Sequence, residues 1–240
     1  PIYKGALARA INATTGEEIW TLSSYTGEFF AMSYAIADGY ATWFNGYDNQ
    51  IYSVGRGPTN LNVEAPTLAS TLGSSLVIRG SLYDVSAGTQ QNEQASRFAK
   101  GVPCASDASM KDWMGYVYQQ QVLPSNFMGV DVTIDVLDSN GNYRNIGTAT
   151  TDASGAYTLT WMPDIPGDYL VVATFHGTNG YWPSYAETSF TVDPAAPTTA
   201  PTEAPPQSTA DMYFVPAIAG LFVLIIIVLV LVLLVLRKRP

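Results

Sequence analysis

GVDVTIDVL, residues 129–137, sets Val130, Val132, Ile134 and Val136 at every second position, with Asp131, Thr133 and Asp135 between them. Side chains alternate across a strand, so this segment reads as a strand with one buried face and one wet face. The same period of two recurs on either side. Upstream, Leu76, Ile78 and Leu82 share a face; downstream come Tyr157, Leu159 and Trp161, then Tyr169, Val171, Ala173 and Phe175, then Thr188, Phe190 and Val192. Asp138 to Gly141, Asp152 to Gly155 and Pro163 to Gly167 supply turn chemistry between them. Residues 59–193 are therefore predicted to form a β-sandwich, with the clear alternation starting after Pro66.

An insertion of roughly 85–127 interrupts it. Gln90 to Gly101 is polar and reads as loop. Ser106 or Asp107 suits a helix N-cap, and Met110, Trp113, Met114, Val117 and Gln121 then line one face of a helix reaching about Val122. That face either packs on the rest of the protein or forms a partner-binding surface.

WMPDIPGDYLV, residues 161–171, resembles the E–F corner of bacterial and archaeal Ig-like domains, and FHGTNGYWPSYAETSFTV, residues 175–192, resembles their F–G hairpin. The resemblance covers roughly 66–83 and 128–193. It implies that Trp161, Gly167 and Tyr169 build the corner, with Tyr169 as the tyrosine-corner residue and Val171 where antibody domains carry a cysteine. Cys104 is the single cysteine, so no internal disulfide is available and the core must hold unaided.

Residues 1–58 read as short strands separated by frequent turn signals: strand, turn and strand around Asn12 to Gly16, then Met32 to Asp38, Tyr40 to Asn45 and Gln50 to Val54. AINATTGEEIW, residues 10–20, resembles the PQQ-type β-propeller repeat A-x-[DN]-A-x-T-G-x-x-x-W, matched by Ala10, Asn12, Ala13, Thr15, Gly16 and Trp20. AIADGYATWFNGYDNQIYSVG, residues 35–55, resembles the half-repeat that follows. The resemblance implies structural roles, with Trp20 packed between adjacent blades. Residues 3–22 then supply the last two strands of one blade and 32–54 three strands of the next. The fourth strand is not seen, so the sequence is expected to hold about the last one and a half blades of a longer protein.

Tyr213 to Leu236 carries no charge and is dense in Leu, Ile and Val; as a helix at ~1.5 Å per residue it spans about 36 Å, enough for a hydrocarbon core of about 30 Å. Arg237, Lys238 and Arg239 follow, while Glu203 and Asp211 precede it. By the positive-inside rule the 237–240 tail is cytoplasmic and everything before 213 lies outside the cell membrane. No export signal precedes Pro1, so the chain is expected to be either a mature form after cleavage or, as the phase of the repeat argues, the C-terminal part of a longer protein. Between sandwich and helix, 194–212 is a Pro/Thr/Ala stalk with almost nothing to bury. It is expected to be a disordered, extended spacer, with Thr198, Thr199, Thr202, Ser208 and Thr209 as O-glycosylation candidates. The stalk resembles archaeal surface-protein tails, without their Pro-Gly-Phe processing signal.

The net charge of −9 argues against nucleic acid as a partner. One histidine, His176, and one cysteine provide no Zn or Cys–His constellation. Asp138-Ser-Asn140-Gly141-Asn142 has its glycine two places early for a calcium loop and no distal Glu, and reads as a hairpin turn. Asp38 and Asp48 fall in turns. Asn12-Ala13-Thr14 is a formal N-glycosylation sequon inside the turn motif. The sequence predicts no catalytic, cofactor-binding or metal-binding residue, and neither PQQ nor calcium. The expected role is non-catalytic binding or scaffolding of a protein or glycan outside the cell, held to lipid by the C-terminal helix. The alternatives are a PQQ-dependent dehydrogenase-like enzyme, or a sensor or envelope-assembly component, whose active blades lie upstream.

Overall fold

The computed structural model describes residues 4–26, 34–197 and 208–238. The chain is mainly β and divides into two compact units, Pro1–Ala196 and Pro197–Pro240.

In the first unit two sheets enclose one core. The larger is ordered β11-β10-β13-β14-β7, from Tyr143–Thr150, Asp131–Leu137, Gly167–Phe175, Ser184–Asp193 and Ser70–Thr71. The smaller is β12-β8-β6, from Ala156–Trp161, Leu76–Asp84 and Thr59–Glu64, with β9 (Val102–Pro103) added along β8. All pairings are antiparallel except β7, which runs parallel to the end of β14. The alternation read from the sequence is the alternation of burial. Val132, Ile134 and Val136 of β10 and Val171 and Ala173 of β13 are fully buried, and Ile78 and Leu82 of β8 meet them from the other sheet. Gly80 is required in β8. A Cβ there would lie 2.0 Å from the Asn62 carbonyl oxygen and 2.5 Å from the Tyr157 hydroxyl. The Tyr157 ring crosses that gap so that its hydroxyl donates to the Asn62 carbonyl at 2.8 Å.

Strands β6, β7, β9 and β11 were not legible as strands. β6 (TNLNVE) and β11 (YRNIGTAT) carry few apolar residues, and β7 and β9 are two residues long and held by their neighbours. The insertion also differs from expectation. A 3-10 turn over Ala87–Gln90 and helix α1, Asn92–Arg97, occupy the segment read as loop. Helix α2 is Asp107–Gln119, shorter than expected, because Gln120 turns left-handed at φ 52. Ser106 is the N-cap by position but makes no side-chain capping bond. The α2 face is not a free partner surface: Trp113 and Val117 are buried with Val102 and Ala105, and Met110 packs on the core between the two sheets.

Two small sheets precede these two: β1 (Leu7–Ile11) with β2 (Glu18–Ser23), and β3 (Tyr34–Ala37), β4 (Tyr40–Asn45) and β5 (Gln50–Val54) in sequence order. Met32 and Ser33, assigned to the third strand from sequence, lie outside the described residues. The linker after β5 is fastened to the β13–β14 hairpin. Arg56 donates to the Thr178 carbonyl and stacks 4.5 Å over the Trp182 ring, and Gly57 exchanges backbone bonds with Gly180 and Trp182.

In the second unit, α3 runs over Thr209–Arg237 with Pro216 inside its first turns. The stalk assignment of 194–212 is therefore shortened at its end, since 209–212 is already helical; Thr198, Thr199 and Thr202 lie outside the described residues. Met212–Arg237 has a mean hydropathy of 3.7, long and apolar enough to cross a membrane. Its Leu, Ile and Val side chains are exposed on every face, Ile226 at 58% and Leu233 at 60% among them. Lys238 follows the helix, and Arg239 lies outside the described residues.

Candidate functional site

The β1–β2 turn is built by its own side chains. Asn12 Oδ1 accepts from the N–H of Thr14 at 2.8 Å and of Thr15 at 3.2 Å, and Gly16, at φ 74, donates its N–H to the Asn12 carbonyl. Ala13 is exposed at the tip, and Ala10 stands opposite Trp20 in the ladder. Trp20 stacks on Trp43 of the next sheet, centroids 6.3 Å apart and planes 12° from parallel. Two residues not singled out from sequence hold this seam. The Trp43 indole N–H donates to Ser24 Oγ at 2.8 Å; buried Asn45 accepts from the N–H of Tyr25 and donates to the Ser23 carbonyl. Their signal was present, in a polar Asn alternating with Trp, but only the second sheet gives it meaning. Asp38 (φ 52) and Gly39 (φ 81) form the β3–β4 turn, and Asp48 accepts from Gln50 N and Tyr52 Oη, so both carboxylates serve turns.

At the far end of the two-sheet core Tyr169 is buried, stacked on Phe190 at 5.2 Å and edge-on to Trp161 at 5.4 Å. Its hydroxyl donates to the Ile165 carbonyl at 3.1 Å. Gly167, at φ 123, passes so close to Ser139 that a Cβ would lie 2.5 Å from its Oγ. Arg144 lies over the Trp161 ring and donates to Asp164, and that hydrogen bond holds the Asp164 carboxyl down at about 2. The Asp138 loop closes on itself. Asp138 accepts from the N–H of Asn140 and Asn142 and from the Asn142 amide, and these bonds lower its pKa. Among the described residues no three His, Cys, Asp or Glu side chains are grouped to hold a metal ion.

A groove of about 480 Å³ opens where the start of α2 meets the ends of β10 and β13, lined in part by Ser106, Asp107, Asp131, Thr133, His176 and Thr178. No Lys or Arg lines it. One oxygen of each carboxylate is engaged, Asp107 by Asn179 N and Asp131 by Thr150 Oγ1. Ser106 Oγ is shielded from solvent and has no hydrogen-bond partner, so Ser106 and His176 do not form a nucleophile–base pair here. The groove offers acceptors and hydroxyls to a polar ligand. Sequence reasoning placed His176 at a strand end, but the groove needs α2 folded back beside it.

Burial also collects Asp84, Cys104 and Tyr181 under the linker junction. The Asp84 carboxylate accepts from Ser86 N and Oγ, and burial raises its pKa; burial likewise pushes up the Cys104 thiol, leaving it unreactive. Neither known protein families nor characterised proteins show a match to the chain. What fold and site define together is a class: a mainly β chain with two facing sheets, two small antiparallel sheets and one C-terminal helix apolar enough to span a bilayer.

Proposed function

We propose that this chain belongs to a membrane-anchored cell-surface protein whose propeller-like sheets and Ig-like sandwich bind or scaffold a protein or glycan outside the cell, without catalysis. The observation that carries the anchor is the 26-residue stretch Met212–Arg237, apolar on all sides up to Leu236 and ending in the basic run Arg237, Lys238 and Arg239. A helix of that composition is soluble only in lipid or inside a protein core, and none of its most apolar window is covered here. The basic end argues for a cytoplasmic C-terminus.

The Ig-like reading rests on topology and on the corner. With β6 as strand A, β8 as B, β10 as C, β12 as E, β13 as F and β14 as G, the sheets group A-B-E against C-F-G, and Tyr169 binds back to the corner at Ile165. The propeller reading rests on the stacking of one small sheet on the next through Trp20 and Trp43, and on the outward apolar residues Ile36 and Ile51, 80% and 73% exposed, which further blades would cover. Binding is supported by the groove, whose carboxylates and hydroxyls are placed to accept hydrogen bonds from a polar ligand.

Protease added to intact cells tests the arrangement. The ectodomain is expected to be removed, leaving a membrane-embedded stub with the C-terminus. Full protection of the ectodomain refutes the orientation. A dye-linked oxidation assay with added PQQ and calcium is expected to stay at the blank, and turnover of alcohols or sugars refutes the non-catalytic reading.

A further inference from the structure

We propose that Asn12 is an N-linked glycosylation site. Asn12-Ala13-Thr14 is the only Asn-x-Ser/Thr sequence in the 240 residues. It coincides with the β1–β2 turn, and the turn explains some of its residues. Asn12 Oδ1 holds the N–H groups of Thr14 and Thr15; Thr15 Oγ1 accepts from Glu17 N at 3.3 Å and donates to Glu17 Oε2 at 3.2 Å; Gly16 supplies the positive φ.

Two groups are left over. Asn12 Nδ2 has no partner among the described residues, and an aspartate would give the turn the same acceptor oxygen. Thr14 contributes only its backbone N–H; its hydroxyl has no partner among the described residues. These leftovers are a free carboxamide nitrogen and a hydroxyl two positions on, which are the two groups N-linked attachment requires. Every residue from Ile11 to Ile19 is exposed, so the hairpin tip is open to a transferase. Ile11 and Ile19, 58% and 56% exposed, flank the tip, and a glycan there would cover apolar surface that the fold leaves wet.

The donor is an oligosaccharide carried on a polyprenyl phosphate or pyrophosphate. Nδ2 attacks the anomeric carbon and the N–C bond forms. The C–O bond to the phosphate breaks, its electron pair leaving with the phosphate, and one amide proton passes to a base of the transferase. No redox change occurs.

The inference rests on the ectodomain lying outside the cell. Its test uses the full chain extracted from the membranes of its own cells, with tandem mass spectrometry locating mass on the tryptic peptide Ala10–Arg56. A glycan on Asn12 is expected, lost in Asn12→Asp and Thr14→Ala and kept in Thr14→Ser. Asn12→Asp keeps the turn acceptor, so its melting midpoint separates loss of the sugar from loss of the fold. A bare Asn12 in the native protein, or a modification that survives Thr14→Ala, overturns the proposal. If external protease removes the ectodomain while Asn12 is bare, glycosylation alone fails; if the ectodomain is protected, the membrane reading fails with it.

Discussion

Tyr169 separates two contributions that sequence inspection merges. Its ring is 1% exposed, stacked on Phe190 and edge-on to Trp161, while its hydroxyl reaches the Ile165 carbonyl at 3.1 Å. Tyr169→Phe keeps the ring and removes the hydroxyl, with its bond to the Ile165 carbonyl and the longer ones to Asp164 Oδ1 at 3.3 Å and from Ile165 N at 3.4 Å, a loss of about 1 kcal/mol. Tyr169→Ala also removes a buried aromatic ring between two others, which costs roughly 3–5 kcal/mol because the β13–β14 ladder keeps the neighbours from collapsing into the space. A domain of this size is stable by roughly 5–15 kcal/mol, so the Ala variant gives up a large fraction of the whole. At ~2–4 °C per kcal/mol, the midpoint should fall by roughly 2–4 °C for Phe and roughly 6–20 °C for Ala. Thermal unfolding of the detergent-solubilised full chain, followed by near-ultraviolet circular dichroism, measures both. An Ala variant melting within about 2 °C of the parent refutes the placement of Tyr169 in the core. Equal losses for Phe and Ala refute the division between ring and hydroxyl.

Gly80→Ala is expected to destabilise the two-sheet fold by about 3 kcal/mol or more, because its Cβ would sit 2.0 Å from backbone that the β6–β8 ladder holds in place; an unchanged midpoint in the same assay refutes that account. The Arg144–Asp164 pair gives an acid dependence. The folded pKa, about 2, lies below the ordinary aspartate value of about 3.9, so the stabilisation is full above about pH 4 and is lost as pH falls through about 2. The pair is solvent-exposed, which limits its worth to less than about 1 kcal/mol and makes it salt-sensitive. Asp164→Asn should therefore flatten the stability difference across that window at low salt, and an unchanged slope relative to the parent refutes the assignment.

The sequence by itself determined the period-two strands and the apolar helix. Alternation of Val130, Val132, Ile134 and Val136, and the charge-free run from Tyr213 to Leu236, are local statements about what each side chain must avoid or seek. The turn at Asn12 to Gly16 was legible for the same reason, since Asn and Gly act within their own few residues. Tertiary structure decided what has no local signature. β6 and β11 are strands because β8 and β10 offer them edges, not because TNLNVE or YRNIGTAT alternates strongly. The short helix α1 formed where the residues read only as polar. Helix α2 showed an apolar face that sequence could assign to either a partner or the protein, and only the placement of Val102, Ala105, Phe98 and Phe127 around Trp113 and Val117 settled it as core. The groove brings Ser106, Asp131 and His176 together from segments tens of residues apart, and the buried Asp84 gathers under a linker that binds the β13–β14 hairpin. Such proximity comes from chain reversal and sheet packing, whose energies sum over many residues and leave no mark on any single stretch.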